Sequence, residues 1–197
     1  MSQGTKPISV LESKRDAIVL ALQKVPEFNL LTQWNQDGSA FSSSIIPKQK
    51  GDFTSALEEA LNRTGLSITV AITGADEAGS QSIRAYLQNV GILISIAEFV
   101  TQNQDVVNGG TGMGALYLAE RVLAGLNLLE IEGDKFVIVP REKNCIEDVT
   151  DAKSMAAGYY LINVHFTTKA TVPVRGDYIL TEDDRIIVDE TGNPIIL

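Results

Sequence analysis

Residues 66–73, LSITVAIT, alternate apolar and small polar side chains with a period of two, which is typical of a half-buried β-strand. A second strand is predicted at residues 90–100, VGILISIAEFV, where β-branched residues are frequent. The polar segment 74–82 between them is interpreted as a loop, so the two strands are expected to pair antiparallel. A third long strand is predicted at residues 158–172. One side of it carries Tyr160, Ile162, Val164 and Phe166.

Further elements are predicted on both sides of these strands from the spacing of apolar residues. The predicted helices cover residues 10–24, 52–63 and 111–126, and the predicted short strands cover residues 29–34, 45–47 and 136–140. Helices and strands do not alternate one by one as in βαβ units. The order is helix, strands, helix, strands, which indicates an α+β fold. We expect an antiparallel or mixed β-sheet flanked by two or three helices.

The chain is predicted to form one domain and a short extension. Residues 1–172 constitute the α+β domain, and residues 173–197 form a C-terminal β-hairpin extension. An extension of this length cannot hold a core alone, so it is expected to pack on the domain or on a neighbouring chain. Two polar segments, 35–44 and 105–114, are expected to be mobile loops that become ordered on docking.

Composition and charge exclude several classes of protein. The chain has 197 residues, a net charge of −9, one Cys and one His. The acidic balance argues against a nucleic-acid binder, and the single Cys and His argue against a disulfide scaffold and the common zinc sites. No apolar run reaches the roughly 18–20 residues of a membrane span, and the first residues lack a signal-peptide pattern. A soluble protein of a reducing compartment is expected.

The most distinctive local motif is the glycine-rich segment 108–114, which directly precedes a predicted helix. Free N–H groups at such a position can hold a phosphate. The segment matches neither the dinucleotide-binding fingerprint nor the phosphate-loop pattern, and no Lys follows its last Gly. A turn that requires glycine is therefore favoured over a phosphate site.

The other reactive side chains have no partner at a catalytic spacing. His165 lies in the middle of a predicted strand and is interpreted as a hydrogen-bonded structural residue rather than a general base. Cys145 lies in a charged loop without a thiol-enzyme signature. Acidic clusters without calcium-loop spacing occur at residues 58–59, at 147–148 with 151, and at 182–184. No catalytic residue, cofactor site or metal site is predicted.

The order of elements over residues 10–172 resembles the tail-terminator (minor tail protein) family of long-tailed bacteriophages and prophages. The resemblance includes the helix ending in Leu-Ala-Gly-Leu at residues 123–126 and the late strand YYLINVHF at residues 159–166. The helix at 52–63 and the segment after residue 173 depart from the compact form of that family.

The resemblance implies a non-enzymatic virion assembly protein. Such subunits close into a ring, commonly a hexamer, which caps the tail tube and presents the surface on which the head docks. The implied partners are further copies of the chain, the tail-tube protein and the head–tail connector, without sequence-specific nucleic acid or membrane. The implied location is the bacterial cytoplasm during assembly and then the virion tail.

A ring requires two different patches that meet on adjacent subunits. The candidate patches are an exposed strand edge at 90–100, the end of the chain and the glycine-rich loop. Their residues are Val90, Ile92, Ile94, Ile96, Ile195, Ile196, Leu197, Asn108, Gly110 and Gly112.

Two alternatives remain open. One is another virion structural protein, such as a head–tail connector, a tail-tube subunit or a baseplate subunit, which ring size would distinguish. The other is a small enzyme with a site near residues 109–114 and the acidic loop 147–151. A deep pocket lined by converging polar groups would favour the enzyme.

Overall fold

The computed structural model describes residues 9–48, 52–82, 85–131 and 137–173, and these residues form the predicted α+β fold. The predicted hairpin extension and the docking candidates Ile195, Ile196 and Leu197 lie outside them. The strands are β1 Thr32–Trp34, β2 Ala40–Ser43, β3 Ile45–Pro47, β4 Leu66–Ser82, β5 Ala85–Phe99, β6 Val139–Pro140, β7 Ile146–Asp148 and β8 Tyr159–Pro173. The helices are α1 Val10–Gln23, α2 Phe53–Thr64, α3 Val100–Gln104, α4 Ala115–Leu126 and α5 Ala152–Ala156, with 3₁₀ helices at Pro26–Leu31 and Val106–Asn108.

The described strands form a main sheet and a separate two-stranded sheet. The main sheet has the order β3-β4-β5-β8-β6, and β7 also pairs with β8. All of its pairs are antiparallel except β3 with β4. The predicted antiparallel pairing of the first two long strands is confirmed, with Ile68 opposite Ile96 and Ile72 opposite Ile92.

The long strands extend further than the sequence predicted. Residues 74–82, interpreted as a loop, belong to β4 and pair with the first half of β5. The register shifts between Ile72 and Gly74 and again between Glu77 and Gln81, so β4 accommodates its glycines and polar residues by local irregularities. The loop prediction is wrong because a neighbouring strand supplies hydrogen bonds that side-chain polarity alone does not reveal.

The expected exposed edge at residues 90–100 is also wrong. β5 lies between β4 and β8, and at most 1% of the surface of Val90, Ile92, Ile94 and Ile96 is exposed. These side chains fill the core, so they are not docking residues on the surface of the single chain. The described edges are instead β3 and the β6/β7 side. Both β3 and β6 end in a proline, which lacks the N–H needed to extend a sheet.

The core lies between one face of the sheet and the helices α1 and α4. Ile18 and Leu22 of α1 and Leu118 and Val122 of α4 are fully buried in the same cluster as the inward residues of β4, β5 and β8. α1 begins with a capping box, in which Ser9 Oγ accepts from the Leu11 N–H and the Ser9 N–H donates to the Glu12 carboxylate. The first predicted helix is therefore confirmed to within one residue.

Three local predictions need correction. The strand predicted at 29–34 begins only at Thr32, because Pro26 starts a 3₁₀ helix that runs to Leu31. The loop predicted at 35–44 contains strand β2, which pairs with β1. The helix predicted from residue 111 begins at Ala115, since Gly112 has a φ of 68° and Gly114 is extended, and neither conformation is helical.

Candidate functional site

A buried asparagine closes the glycine-rich loop that precedes α4. Asn103 is 1% exposed, and its Nδ2 donates to Glu98 Oε1 and to the Met113 carbonyl, each at 2.8 Å. Its Oδ1 accepts from the Thr111 hydroxyl at 2.6 Å and from the Thr111 N–H at 3.3 Å. The amide nitrogen and the amide oxygen of Asn103 therefore both hold the loop in place. The structure shows a turn fixed by internal hydrogen bonds where the sequence predicted a mobile segment.

The N-terminus of α4 is occupied by a carboxylate from the chain itself. Glu98, which is 8% exposed, accepts the Ala115 N–H with Oε2 at 2.8 Å. A carboxylate there satisfies one of the unpaired N–H groups of the first helical turn and complements the helix dipole. A phosphate approaching the same N–H would meet the negative charge of Glu98. The motif is thus a structural turn, the interpretation that its sequence favoured.

Two glycines allow the backbone to approach Asn103 closely. Gly65 ends α2 with a φ of 72°, and a Cβ there would overlap the backbone of Asn103. A Cβ on Gly110 would overlap the carbonyl oxygens of Gln102 and Asn103. Gly110 is buried, so its prediction as a docking residue is wrong, and its role is to close the turn.

The other two docking candidates of this loop lie on the surface. Gly112 is exposed, and exposed Asn108 donates from Nδ2 to Asp105 Oδ2 at 2.7 Å. Between them and α3, the loop presents two valines that the sequence analysis did not select. Val106 is 63% exposed and Val107 is 93% exposed. The loop therefore exposes two neighbouring apolar side chains to water.

His165 contacts a carboxylate of the neighbouring strand β7. Its Nε2 lies 3.1 Å from Glu147 Oε2, and its backbone N–H donates to the Cys145 carbonyl. The nearby Ser95 hydroxyl donates to Asn163 Oδ1 at 2.8 Å, so it is not activated by the histidine. The interpretation of His165 as a hydrogen-bonded residue is confirmed, and half-buried Cys145 contributes its carbonyl to the same contact.

The described acidic clusters cap turns or face water. Thr150 donates its N–H to Asp148 and Ser154 donates to Asp151, and each of these hydrogen bonds lowers the pKa of the accepting carboxyl. Glu58 and Glu59 are exposed on α2. Across the described ranges, no three His, Cys, Asp or Glu side chains are grouped so that they could hold a metal ion. The cluster at 182–184 lies outside those ranges.

An exposed hairpin is the feature that the sequence analysis missed. We call residues 30–43, which contain β1 and β2, the arm. Its two strands form their own sheet, and its base is anchored in the domain, where Leu31 and Thr32 are buried. Leu30 is 68% exposed and Phe41 is 59% exposed, while Trp34 is half-buried.

The arm carries a compositional signal that could have revealed it. Asp37 is the one charged residue between positions 28 and 46, although 21% of the whole chain is charged. Aromatic, amide and hydroxyl side chains replace the missing charges. Depletion of charge together with aromatic residues is characteristic of the centre of protein interfaces. The polar loop predicted here is therefore better described as an exposed hairpin with a single charged residue at its turn.

The Asp37 carboxyl at the tip of the arm should have a measurably lowered pKa. The Ser39 hydroxyl donates to Asp37 at 2.6 Å and the Ser39 N–H at 2.9 Å, and both hydrogen bonds lower the pKa of Asp37 below 3.8. A lowered pKa means that the turn is stabilised above pH 3.8 and loses this contribution as the pH falls through the lowered pKa. An NMR titration of the Asp37 carboxyl should have its midpoint below 3.8, and Ser39→Ala should raise it. A midpoint at or above 3.8 in the unmodified chain would contradict the geometry of this turn.

No helix in the described part of the chain is both long and apolar enough to span a membrane. The sequence matches no protein-family model, and no curated protein has significant similarity to it.

Proposed function

We propose that this chain is a non-enzymatic assembly subunit of a bacteriophage or prophage tail. Copies of it associate into a ring that caps the tail tube and joins the tail to the head. It works in the bacterial cytoplasm during assembly and then in the virion tail. The phage assignment rests on the order of elements along the chain, and the assembly role rests on the surface of the described structure.

The exposed arm, in which Asp37 is the one charged residue, is the observation that carries the assembly role. An isolated two-stranded hairpin is only marginally stable in water. Leu30 and Phe41 nevertheless project from the arm with more than half of their surface exposed. A protein partner that covers these side chains would supply the missing burial, at about 25 cal/mol for each Å² of apolar surface removed from water. A small-molecule substrate would not need a projecting two-stranded hairpin for its binding.

The polar side chains that could act in catalysis also support the proposed assembly role. Glu98 is held by the end of α4 and by Asn103, and Ser95 is held by Asn163. An enzyme site needs polar groups that converge on an open space where a reacting atom can sit. In the described residues, these side chains bond to one another instead. This favours a binding role over the alternative enzyme near residues 109–114.

The test is the mass of the full chain in solution, measured by light scattering over a concentration series and followed by electron microscopy of the largest species. We expect a discrete closed assembly, since a heterologous interface closes into a ring when its rotation permits. The resemblance to tail terminators implies that the ring is a hexamer. Open filaments of increasing length would instead indicate a tail-tube subunit. A strict monomer at every concentration, also in the presence of isolated tail tubes, would contradict the proposal.

A further inference from the structure

We infer that Asn108 is a site of spontaneous deamidation, and that the product loosens the turn before α4. Asn108 is the one asparagine of the chain that is followed by glycine. A glycine has no Cβ that would block the approach of its backbone nitrogen to the preceding side chain. The inference concerns a single chain and does not depend on the proposed assembly.

The turn requires a glycine after Asn108 and exposes both residues to water. Gly109 has a φ of 101°, and a Cβ there would lie 2.9 Å from the Arg63 carbonyl oxygen, so a larger residue would be strained. Asn108 and Gly109 are both exposed. The Gly109 N–H donates to the Val106 carbonyl at 3.5 Å, which is long for such a hydrogen bond. The nitrogen that must react is therefore weakly held at an exposed turn.

The reaction exchanges the side-chain amide of Asn108 for a carboxylate. The lone pair of the Gly109 nitrogen forms a bond to Cγ of Asn108, and the proton of that nitrogen passes to a solvent base. The Cγ–Nδ2 bond breaks, and Nδ2 takes a proton from water and leaves as ammonia. Water then opens the cyclic imide at either of its two carbonyl carbons, which yields aspartate or isoaspartate at position 108. No oxidant or reductant is consumed.

The product removes a hydrogen bond that closes the turn. In the amide form, Asn108 Nδ2 donates to Asp105 Oδ2 at 2.7 Å, and the Asn108 N–H donates to Asp105 Oδ1 at 3.2 Å. A carboxylate at position 108 has no proton to donate and places a second negative charge beside Asp105. The two carboxylates repel each other, so the 3₁₀ helix at Val106–Asn108 loses the side-chain contact that ties its end to the residue before it.

Incubation of the folded full chain at mildly alkaline pH, followed by peptide mass spectrometry, tests the first step. Asn35 is the matched internal control, because it is also exposed and also donates from Nδ2, to the Ser39 hydroxyl, but is followed by Gln36. We expect Asn108 to exchange its NH₂ for OH about tenfold faster than Asn35, which corresponds to a barrier lower by about 1.4 kcal/mol. Asn108→Gln should abolish this fast exchange, because its longer side chain would have to close a larger ring.

Asn108→Asp reproduces the aspartate product and tests the second step. The Gly110 N–H donates to the Asp105 carbonyl at 2.9 Å, and its hydrogen exchange should become about tenfold faster than in the unmodified chain. The Ala115 amide, which Glu98 holds, should exchange as before. Asn108→Ala is the matched variant, since it removes the same hydrogen bond without adding a charge. Its effect on Gly110 should be smaller than that of Asn108→Asp.

Two results would overturn the inference. If Asn108 keeps its amide as long as Asn35 does, the folded turn protects the side chain and the site is overturned. If Asn108 is converted but Gly110 exchanges equally fast in Asn108→Asp and Asn108→Ala, the loosening of the turn by charge repulsion is overturned. Neither result bears on whether copies of the chain form a ring, so the proposed function is tested separately.

Discussion

Replacing Gly65 with alanine is expected to lower the free energy of unfolding by about 3 kcal/mol or more, because two costs coincide at this position. Gly65 has a φ of 72°, which L side chains rarely adopt. Its Cβ would also overlap the backbone of Asn103, which cannot move aside as the end of a flexible side chain could. Chemical denaturation of the purified full chain measures the loss.

Alanine variants at three other glycines measure the conformational cost and the steric overlap separately. Gly38 has a φ of 80° with nothing within 4 Å of its Cβ position, so Gly38→Ala reports the conformational cost alone. Gly110 has no positive φ but meets two carbonyl oxygens, so Gly110→Ala reports the overlap alone. Gly114 has a φ of −70° and open space, and Gly114→Ala should change the free energy by less than about 0.5 kcal/mol.

The expected order of destabilisation is Gly65 first, then Gly110, then Gly38, then Gly114. A Gly65→Ala protein as stable as Gly38→Ala would show that no close approach to Asn103 exists. The packing of α2 against the loop before α4 would then have to differ from the structure described above.

Glu98→Gln should destabilise the protein by about 2 kcal/mol, and Glu98→Ala by about 3 kcal/mol. The carboxylate of Glu98 accepts one hydrogen bond from Asn103 and one from Ala115. Glutamine keeps the shape but has only one acceptor oxygen, so its amide group faces one of these donors. It also removes the negative charge from the positive end of the α4 dipole. Alanine leaves the Ala115 N–H without its acceptor and leaves Asn103 Nδ2 with the Met113 carbonyl alone.

Glu120→Gln is the matched control, since Glu120 is an exposed residue of α4. Removing its charge should change the free energy of unfolding by less than about 0.5 kcal/mol. If Glu98→Gln and Glu120→Gln are equally mild, the carboxylate of Glu98 is not what holds the end of α4. Hydrogen exchange at Ala115 provides a local readout, because its amide should lose protection in Glu98→Gln before the sheet does.

The sequence predicted the fold class because its signals are periodic and local. Alternation at residues 66–73 and the helical spacing of apolar residues at 10–24 lead directly to β4 and to α1. The failures involve strand pairing, which the polarity of a segment does not reveal. Residues 74–82 are polar and look like a loop, yet they pair with β5. The order of strands, which places β5 in the middle rather than at an edge, is a property of the whole chain and has no local signature.

The surface features were predicted less completely than the fold. The hydrogen bond expected for His165 is present, whereas the glycine-rich segment, expected to be mobile, is held by hydrogen bonds to Asn103. The arm was missed because hydroxyl and amide residues are common both in loops and in exposed hairpins. Its lack of charge was visible in the sequence, but a shortage of charged residues becomes informative only when the segment is known to be exposed.

The pairing of β5 with β8 has a consequence for the synthesis of the protein. Ser95 and Asn163 are 68 residues apart in sequence, and Lys14 of α1 donates from Nζ to the Lys169 carbonyl across 155 residues. Contacts between such distant residues slow folding, since a long loop must close before they form. The ribosome releases α1 long before β8 exists, so the part of this first helix that packs on β8 stays uncovered until the last described strand is made. A partly made chain therefore exposes apolar surface that promotes aggregation until this strand is in place.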